Sequence, residues 1–340
     1  MRATNTEMPR RSFLAAAGGA AALALCPIGA RGALARLGAA PETLLDWDPL
    51  REGLWAVADL TLGGNTLVLA DKGEALLIDT KFPYLAGALL RDTRVLAGAD
   101  AAPITLVNTH HHADHTGGNA IVVPESEAHA HARALDRIGG QLARFRQAAA
   151  GGPAQLNRTG ASRGLIKLAA TAADGADSWT EDDVVPSNRI PDAGATLEIG
   201  STRVEIHHFG AGHTDNDLVV HLPERGLVHT GDLVFNGTHP FYDPGGGVDA
   251  RGWVAALKKA RELCEKDTIV VPGHGPVGDR SIIDAMISYH ERLIEEVQRA
   301  IEAGEPREDV IERTWDFMEG LGYGSIRSRA IGVVYDQLTG

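Results

Sequence analysis

From Leu54 onward the apolar residues gather in short runs separated by polar and glycine-rich turns, a pattern of short strands rather than of a helical bundle. In NTLVLADKGEALLIDT the runs at 66–70 and 75–78 flank Asp71-Lys72-Gly73, which predicts a hairpin. A strand over 104–107 ends directly in THHHADHTGG, residues 109–118. That stretch therefore falls on a loop at a strand's end, where a rigid sheet can position reactive groups. Strands resume at 195–199 and 202–208 around Gly200-Ser201, at 217–222 and 227–230 around Pro223-Glu224-Arg225-Gly226, and at 268–271. Residues 125–190 break the pattern: they are rich in Ala, Gly and charge, with helical stretches expected near 128–148 and 163–173. Such an insertion suits a wall or cover for a site. Helices are expected over 250–266 and, amphipathic, from about 281 to 303, with two short ones in the last 35 residues. No repeat or linker interrupts 36–340, which reads as one domain.

The first 35 residues differ. Arg10 and Arg11 precede an Ala/Leu-rich stretch too short and too rich in Ala and Gly to span a bilayer. This reads as a twin-arginine export signal cleaved near Ala33 or Ala35, which makes the export machinery a partner, the periplasm the destination, and stable membrane association after cleavage unexpected. Of the two cysteines, Cys26 lies in the signal and Cys264 in helix 250–266, as a small core residue, so the mature chain forms no internal disulfide. With 32 basic against 45 acidic residues the net charge is −13, which argues against nucleic acid or anionic membrane as a partner.

The chemistry concentrates in His110-x-His112-x-Asp114-His115. On a tight loop His110 and His112 can turn to one point while Asp114 and His115 turn to a neighbouring one, so a single loop can begin two metal sites. Three later candidates follow apolar strands beside glycine, which lets backbone crowd around an ion: His213 in GAGHTDND, Asp232 in HTGDLVFNG and His274 in VVPGHGPVGD. Imidazole and carboxylate suit zinc.

The set IDT at 78–80, THHHADHTGG, GHTDND, TGDLVF and VPGHG, in this order at strand ends, closely resembles the metallo-β-lactamase superfamily over about residues 54–295. The resemblance implies an α/β fold, the αββα sandwich of two mixed β-sheets flanked by helices, with two Zn2+ per chain at one edge and iron or manganese as alternative occupants. It implies His110, His112 and His213 on the first zinc, and Asp114, His115 and His274 on the second, with Asp232 bridging. It further implies that Asp79 hydrogen-bonds within the site and orients ligands. A bridging hydroxide would then attack a carbonyl, with Asp114 as the catalytic carboxylate.

His111 is expected to point away, in a packing or hydrogen-bonding role. His129 and His131 share the HxH spacing, but no Asp-His follows and the stretch is expected to open a helix at the surface or wall. His207, His208, His221, His229 and His290 match no ligand position, whereas His239, Phe241 and Tyr242 are expected to line the substrate pocket. The superfamily's chemistries are many, and fold does not choose among them. The expected function is a periplasmic dinuclear zinc hydrolase of a small molecule with an amide, ester or thioester carbonyl. The chain departs from the related β-lactamases in placing Asp232 where they use cysteine, and Phe235 where they often place lysine. β-Lactamase-like activity therefore stands beside two alternatives, a glyoxalase-II-like thioesterase and a lactonase. An iron-dependent persulfide dioxygenase is the runner-up of another class, and a non-catalytic zinc-binding protein a third.

Overall fold

In the computed structural model, residues 42–340 are described. The export signal read at Arg10 and Arg11, and Cys26 with it, lie outside them. The chain opens with strands β1 (Asp48–Arg51), β2 (Leu54–Val57), β3 (Thr66–Asp71) and β4 (Glu74–Ile78), followed by helix α1 (Ala86–Ala97) and β5 (Ile104–Asn108). Two single-turn helices, α2 (Ala113–Thr116) and α3 (Asn119–Val122), lead to β6 (Glu127–His131). Next come α4 (Leu135–Gly139), α5 (Leu142–Thr159), α6 (Arg163–Gly175), α7 (Glu181–Val184) and β7 (Asn188–Ile190). The second half supplies β8 (Ala195–Ile199), β9 (Thr202–His207), β10 (Val219–Leu222), β11 (Leu227–His229), α8 (Ala250–Glu262), β12 (Ile269–Val271) and β13 (Gly278–Asp279). It closes with α9 (Ser281–Glu302), α10 (Arg307–Val310) and α11 (Arg327–Thr339).

The strands form two mixed sheets flanked by helices. The first runs β1 to β7 in sequence order, antiparallel from β1 to β4 and parallel from β4 to β7. The second is ordered β13-β12-β11-β10-β9-β8, with β11 and β12 parallel and the remaining pairs antiparallel. Side chains alternate across each strand and so sort themselves between two layers. Leu76 and Ile78 of β4 meet Val220, Leu222, Leu227 and Val271 in the core between the sheets. Leu77, between them in sequence, faces outward with Val68 and Leu106 under Ala86 and Leu96 of α1. On the far side Val219, Val228 and Val270 pack beneath Trp253, Leu257, Ile283, Leu293 and Ile331 of α8, α9 and α11.

One expectation fails locally. Residues 127–131, expected to begin a helix, form the parallel strand β6, and His129 and His131 are 6% and 0% exposed rather than at the surface. Register with Val107 and Asn188 overrides the helical preference of alanine, because β6 sits between two strands that supply its hydrogen bonds. His131 lies within hydrogen-bond distance of Asp192, at 3.1 Å, and His129 lies 3.3 Å from Glu127.

Candidate metal centre

Loops at one end of both sheets converge. After β4, Asp79 takes a left-handed conformation, φ 62°, one that aspartate tolerates better than most residues. It is fully buried, and its carboxylate accepts from the Thr109 backbone and hydroxyl, each at 2.7 Å. Thr109 in turn accepts, through its carbonyl, from Leu218 N at 2.7 Å, which fastens the histidine loop of the first sheet to the His213 turn of the second. Asn65, fully buried, donates to the carbonyls of Pro272 and Gly275, at 2.8 Å each, and so holds the loop that carries His274.

Two groups of side chains meet there. His110, His112, His213 and Asp232 offer ligand atoms all within 4.8 Å of one another, and Asp114, His115 and His274 form a second such group. Asp232 stands between them: Oδ2 is 3.7, 3.4 and 3.5 Å from Nε2 of His110, His213 and His274, and Oδ1 is 3.1 Å from Nε2 of His115. Asp114 Oδ2 is 3.2 Å from His274 Nε2. Glycine permits this crowding at two places: a Cβ on Gly64 would lie 2.1 Å from the His115 ring, and one on Gly273 would lie 1.9 Å from Asp232 Oδ1.

Four imidazoles are anchored from outside. His112 donates Nε2–H to Asp243 at 2.9 Å, His115 donates Nδ1–H to Asp79 at 2.7 Å, and His213 donates Nδ1–H to the Phe241 carbonyl at 2.8 Å, since those oxygens can only accept. The Thr109 hydroxyl has its proton on Asp79, so it accepts from His110 Nδ1 at 3.1 Å. Every inner nitrogen then aims at the same small volume. His112 Nδ1 and His213 Nε2 are 3.0 Å apart, and buried His110 Nε2 has no hydrogen-bond partner. Outer anchoring of this kind fixes tautomer and ring orientation around a metal, and the inward set of nitrogen and carboxylate donors fits zinc.

The electrostatics agree. Burial, reinforced by neighbouring imidazoles, pushes His213 down to about 3 and His110 well below its ordinary value, so both remain neutral donors. Burial works against charge on His115 and His274 too, yet Asp232 with Asp79 and Asp114 outweighs it. His115 is held well above its usual range, and His274 rises to about 9. Burial would raise Asp114 and Asp232, but the imidazoles of His115 and His274 hold both below the carboxylate range. The cluster demands positive charge, whether as protons or as cations.

His112, Asp114, Asp232 and His274 lie on the surface of a cavity of about 720 Å³, lined also by Phe235, Phe241, Asp243 and Tyr323, with His110, His115 and His213 buried behind them. Of the three residues expected to line the pocket, Phe241 does so. Tyr242 and His239 do not: Tyr242 is 0% exposed, bonded to His290 at 2.6 Å and packed on Trp253, and His239 is 3% exposed, bonded to Tyr289 at 2.9 Å. Phe241 turns its ring to the cavity, while Tyr242 and His239 turn theirs into the helical layer against Trp253 and Tyr289. His111 bonds Asn216 through its backbone N–H, at 3.1 Å, and its ring borders the cavity. His290 is buried in the helical layer, while His207 and His221 flank Glu205 on the second sheet.

Sequence patterns gave no sign of Asp243, Asn65 or Tyr323. Asp243 follows Asp232 by a loop with no fixed spacing, and Tyr323 comes from a C-terminal segment that Gly322 pins to Gly237 and His239 by backbone bonds of 2.9 Å. Thr109 begins the histidine stretch and could have been suspected there.

Residues 60–274 match a family described as the metallo-beta-lactamase superfamily. A metallo-beta-lactamase type 2 of Bacillus cereus is 34% identical over 89 residues, 26% of this chain and 34% of that protein, so the alignment spans about a third of the relative's length. An acyl-coenzyme A thioesterase MBLAC2 of Bos taurus is 25% identical over 226 residues, 66% of this chain and 73% of the relative. Among solved structures, a metallo-beta-lactamase from Pontibacter korlensis is similar in fold, with a TM-score of 0.52 at 20% identity, covering 73% of this chain and 99% of that one.

Proposed function

The chain belongs to the metallo-beta-lactamase superfamily, and from that premise we propose that it is a periplasmic dinuclear zinc hydrolase of a carbonyl substrate, with thioesters as the favoured class. The observation that carries the reading is the set of outward-anchored imidazoles whose inner nitrogens converge, with Asp114 and Asp232, on the cavity floor. His110, His112 and His213 would hold one zinc, Asp114, His115 and His274 the other, and Asp232 both. Zinc there supplies a Lewis acid for the carbonyl oxygen and a lowered pKa for water.

The chain's own residues do the rest. Asp114, whose side chain is 27% exposed and faces the cavity, orients the attacking water and takes its proton. Asp79 and Asp243 keep the imidazoles of His115 and His112 turned inward. Phe235, Phe241 and Tyr323 hold an apolar acyl body and keep bulk water from it. Thioesters are favoured over β-lactams for two reasons: the alignment to an acyl-coenzyme A thioesterase covers 66% of the chain, against 26% for the Bacillus lactamase, and the motif resemblance puts Asp232 where the related β-lactamases use cysteine. Export follows from the paired arginines Arg10 and Arg11.

The test is metal analysis followed by a rate screen of the zinc-loaded protein on acyl-coenzyme A, S-lactoylglutathione, a lactone panel and nitrocefin. Near two zinc per chain with fastest turnover of a thioester is expected. One iron per chain and no hydrolysis would instead favour an oxygenase.

A further inference from the structure

Residues 125–190 contribute one wall of the cavity, through Arg137, Gly140, Gln141 and Arg144. Arg137 stands on α4, Gly140 and Gln141 form the turn between the helices, and Arg144 stands on the first turn of α5, so the wall is the junction of the two. Two of these residues are fasteners. Gln141 donates to the His111 carbonyl at 2.6 Å, which ties the wall to the histidine loop. Arg137 forms a two-pronged ion pair with Asp215, which ties it to the turn that carries His213. Gly140 presents no side chain. Arg144 remains: it is exposed, lines the cavity, and makes no hydrogen bond or ion pair among the described residues.

Its neighbours do not share that freedom. Arg133 pairs with Asp192, and Arg146 donates to the Trp179 carbonyl. In a chain where acidic residues outnumber basic ones 45 to 32, a guanidinium left unengaged at a cavity wall is a ready partner for an anion brought by the ligand. Gln141 and Arg137 tie the wall to both loops of the metal centre, so the backbone position that carries Arg144 keeps a set offset from the metal cluster, and its unengaged guanidinium is free to reach over the cavity.

We propose that Arg144 is an anion-binding subsite that selects substrates carrying a carboxylate or phosphate at an end remote from the scissile carbonyl. The subsite rests on the hydrolase reading above. It acts on binding rather than on chemistry, because its contact is the same in ground and transition states. The occupant is a small acyl thioester or ester whose apolar body lies against Phe235, Phe241 and Ile326 while its anionic end reaches the helical wall.

The experiment uses three thioesters with one acyl group, made from 3-mercaptopropionate, 3-mercaptopropionamide and 2-mercaptoethyl phosphate, on the zinc-loaded protein and its R144A, R144K and R144E variants. An exposed position such as Arg144 tolerates these changes without loss of fold. R144A is expected to raise KM for the anionic substrates by about tenfold, leaving kcat nearly unchanged and the amide unaffected. R144K should recover part of the loss, and R144E should deepen it. Whichever anion suffers the larger loss identifies carboxylate or phosphate as the natural group. Turnover of all three at similar KM, unaltered by R144A, overturns the subsite alone. Failure of the zinc-loaded wild type to hydrolyse any of them overturns the thioester reading on which the subsite rests.

Discussion

His112 donates through Nε2 to Asp243 Oδ2 over 2.9 Å, while its Nδ1 faces His213 Nε2 at 3.0 Å. The carboxylate thereby chooses which nitrogen of His112 looks into the cluster, and it does so from a loop eleven residues beyond Asp232. Asp243→Ala is expected to lower zinc affinity on the order of 10–100-fold in chelator competition, as losses of outer partners do, with Asp243→Asn intermediate because the amide oxygen still accepts. Unchanged affinity in both variants would refute the orienting role.

Asp114→Asn keeps the shape and removes the base. Hydrolysis should fall on the order of 10²–10⁴-fold while the circular dichroism spectrum stays that of the parent. Turnover near the parent rate would refute the role given to this carboxylate.

The pH dependence has opposite signs with and without metal. His274 is pushed up to about 9 in the metal-free protein, where burial is outweighed by Asp232 and Asp114. A folded-state pKa above the ordinary 6.5 means that this charge stabilises the metal-free fold fully below pH 6.5, and that the stabilisation is lost as pH rises through about 9. The melting temperature of metal-free protein should therefore decline across that window. A protonated imidazole cannot ligate, so zinc affinity should climb over the same window, and zinc uptake near pH 7 should release protons. Calorimetry in buffers of different ionisation enthalpy measures that release, and its absence would contradict the assignment of His274.

Tyr242 belongs to the helical layer. Tyr242→Phe leaves buried His290 Nδ1 without its 2.6 Å partner, which should cost about 1–3 kcal/mol in denaturant unfolding. KM and kcat should stay within about twofold, because the hydroxyl does not reach the cavity. A selective rise in KM would return Tyr242 to the substrate wall.

Much of this architecture is legible in the chain. Runs such as 66–70 and 75–78 are long enough and apolar enough to specify strands, and the turn Asp71-Lys72-Gly73 specifies their pairing. The histidine loop could be placed because β5 is an apolar run that ends just before it. Residues 127–131 form a strand where their composition points to a helix, because alanine favours helix in isolation whereas a strand between two parallel neighbours is decided by contacts distant in sequence. The same reason hid Asp243, Asn65 and Arg144. Asp243 and Asn65 act on partners brought near by the fold, Arg144 lines a cavity that the fold assembles, and nothing local in NGTHPFYD or QLARFR distinguishes such side chains from solvated ones. Tyr242 and Phe241 are adjacent and both aromatic, and only contacts with the distant helices, Trp253 and His290 for Tyr242, separate core from cavity lining.

The two sheets contribute separately to the cluster: the first provides the loop from His110 to His115, the second provides His213, Asp232 and His274. An ion held by both acts as a rivet through the sandwich, so that sliding one layer over the other would strip its coordination. Chelation should consequently loosen hydrogen-exchange protection at the ends of β5, β9, β11 and β12 together, as a coordinated release of one edge rather than the fraying of a single loop.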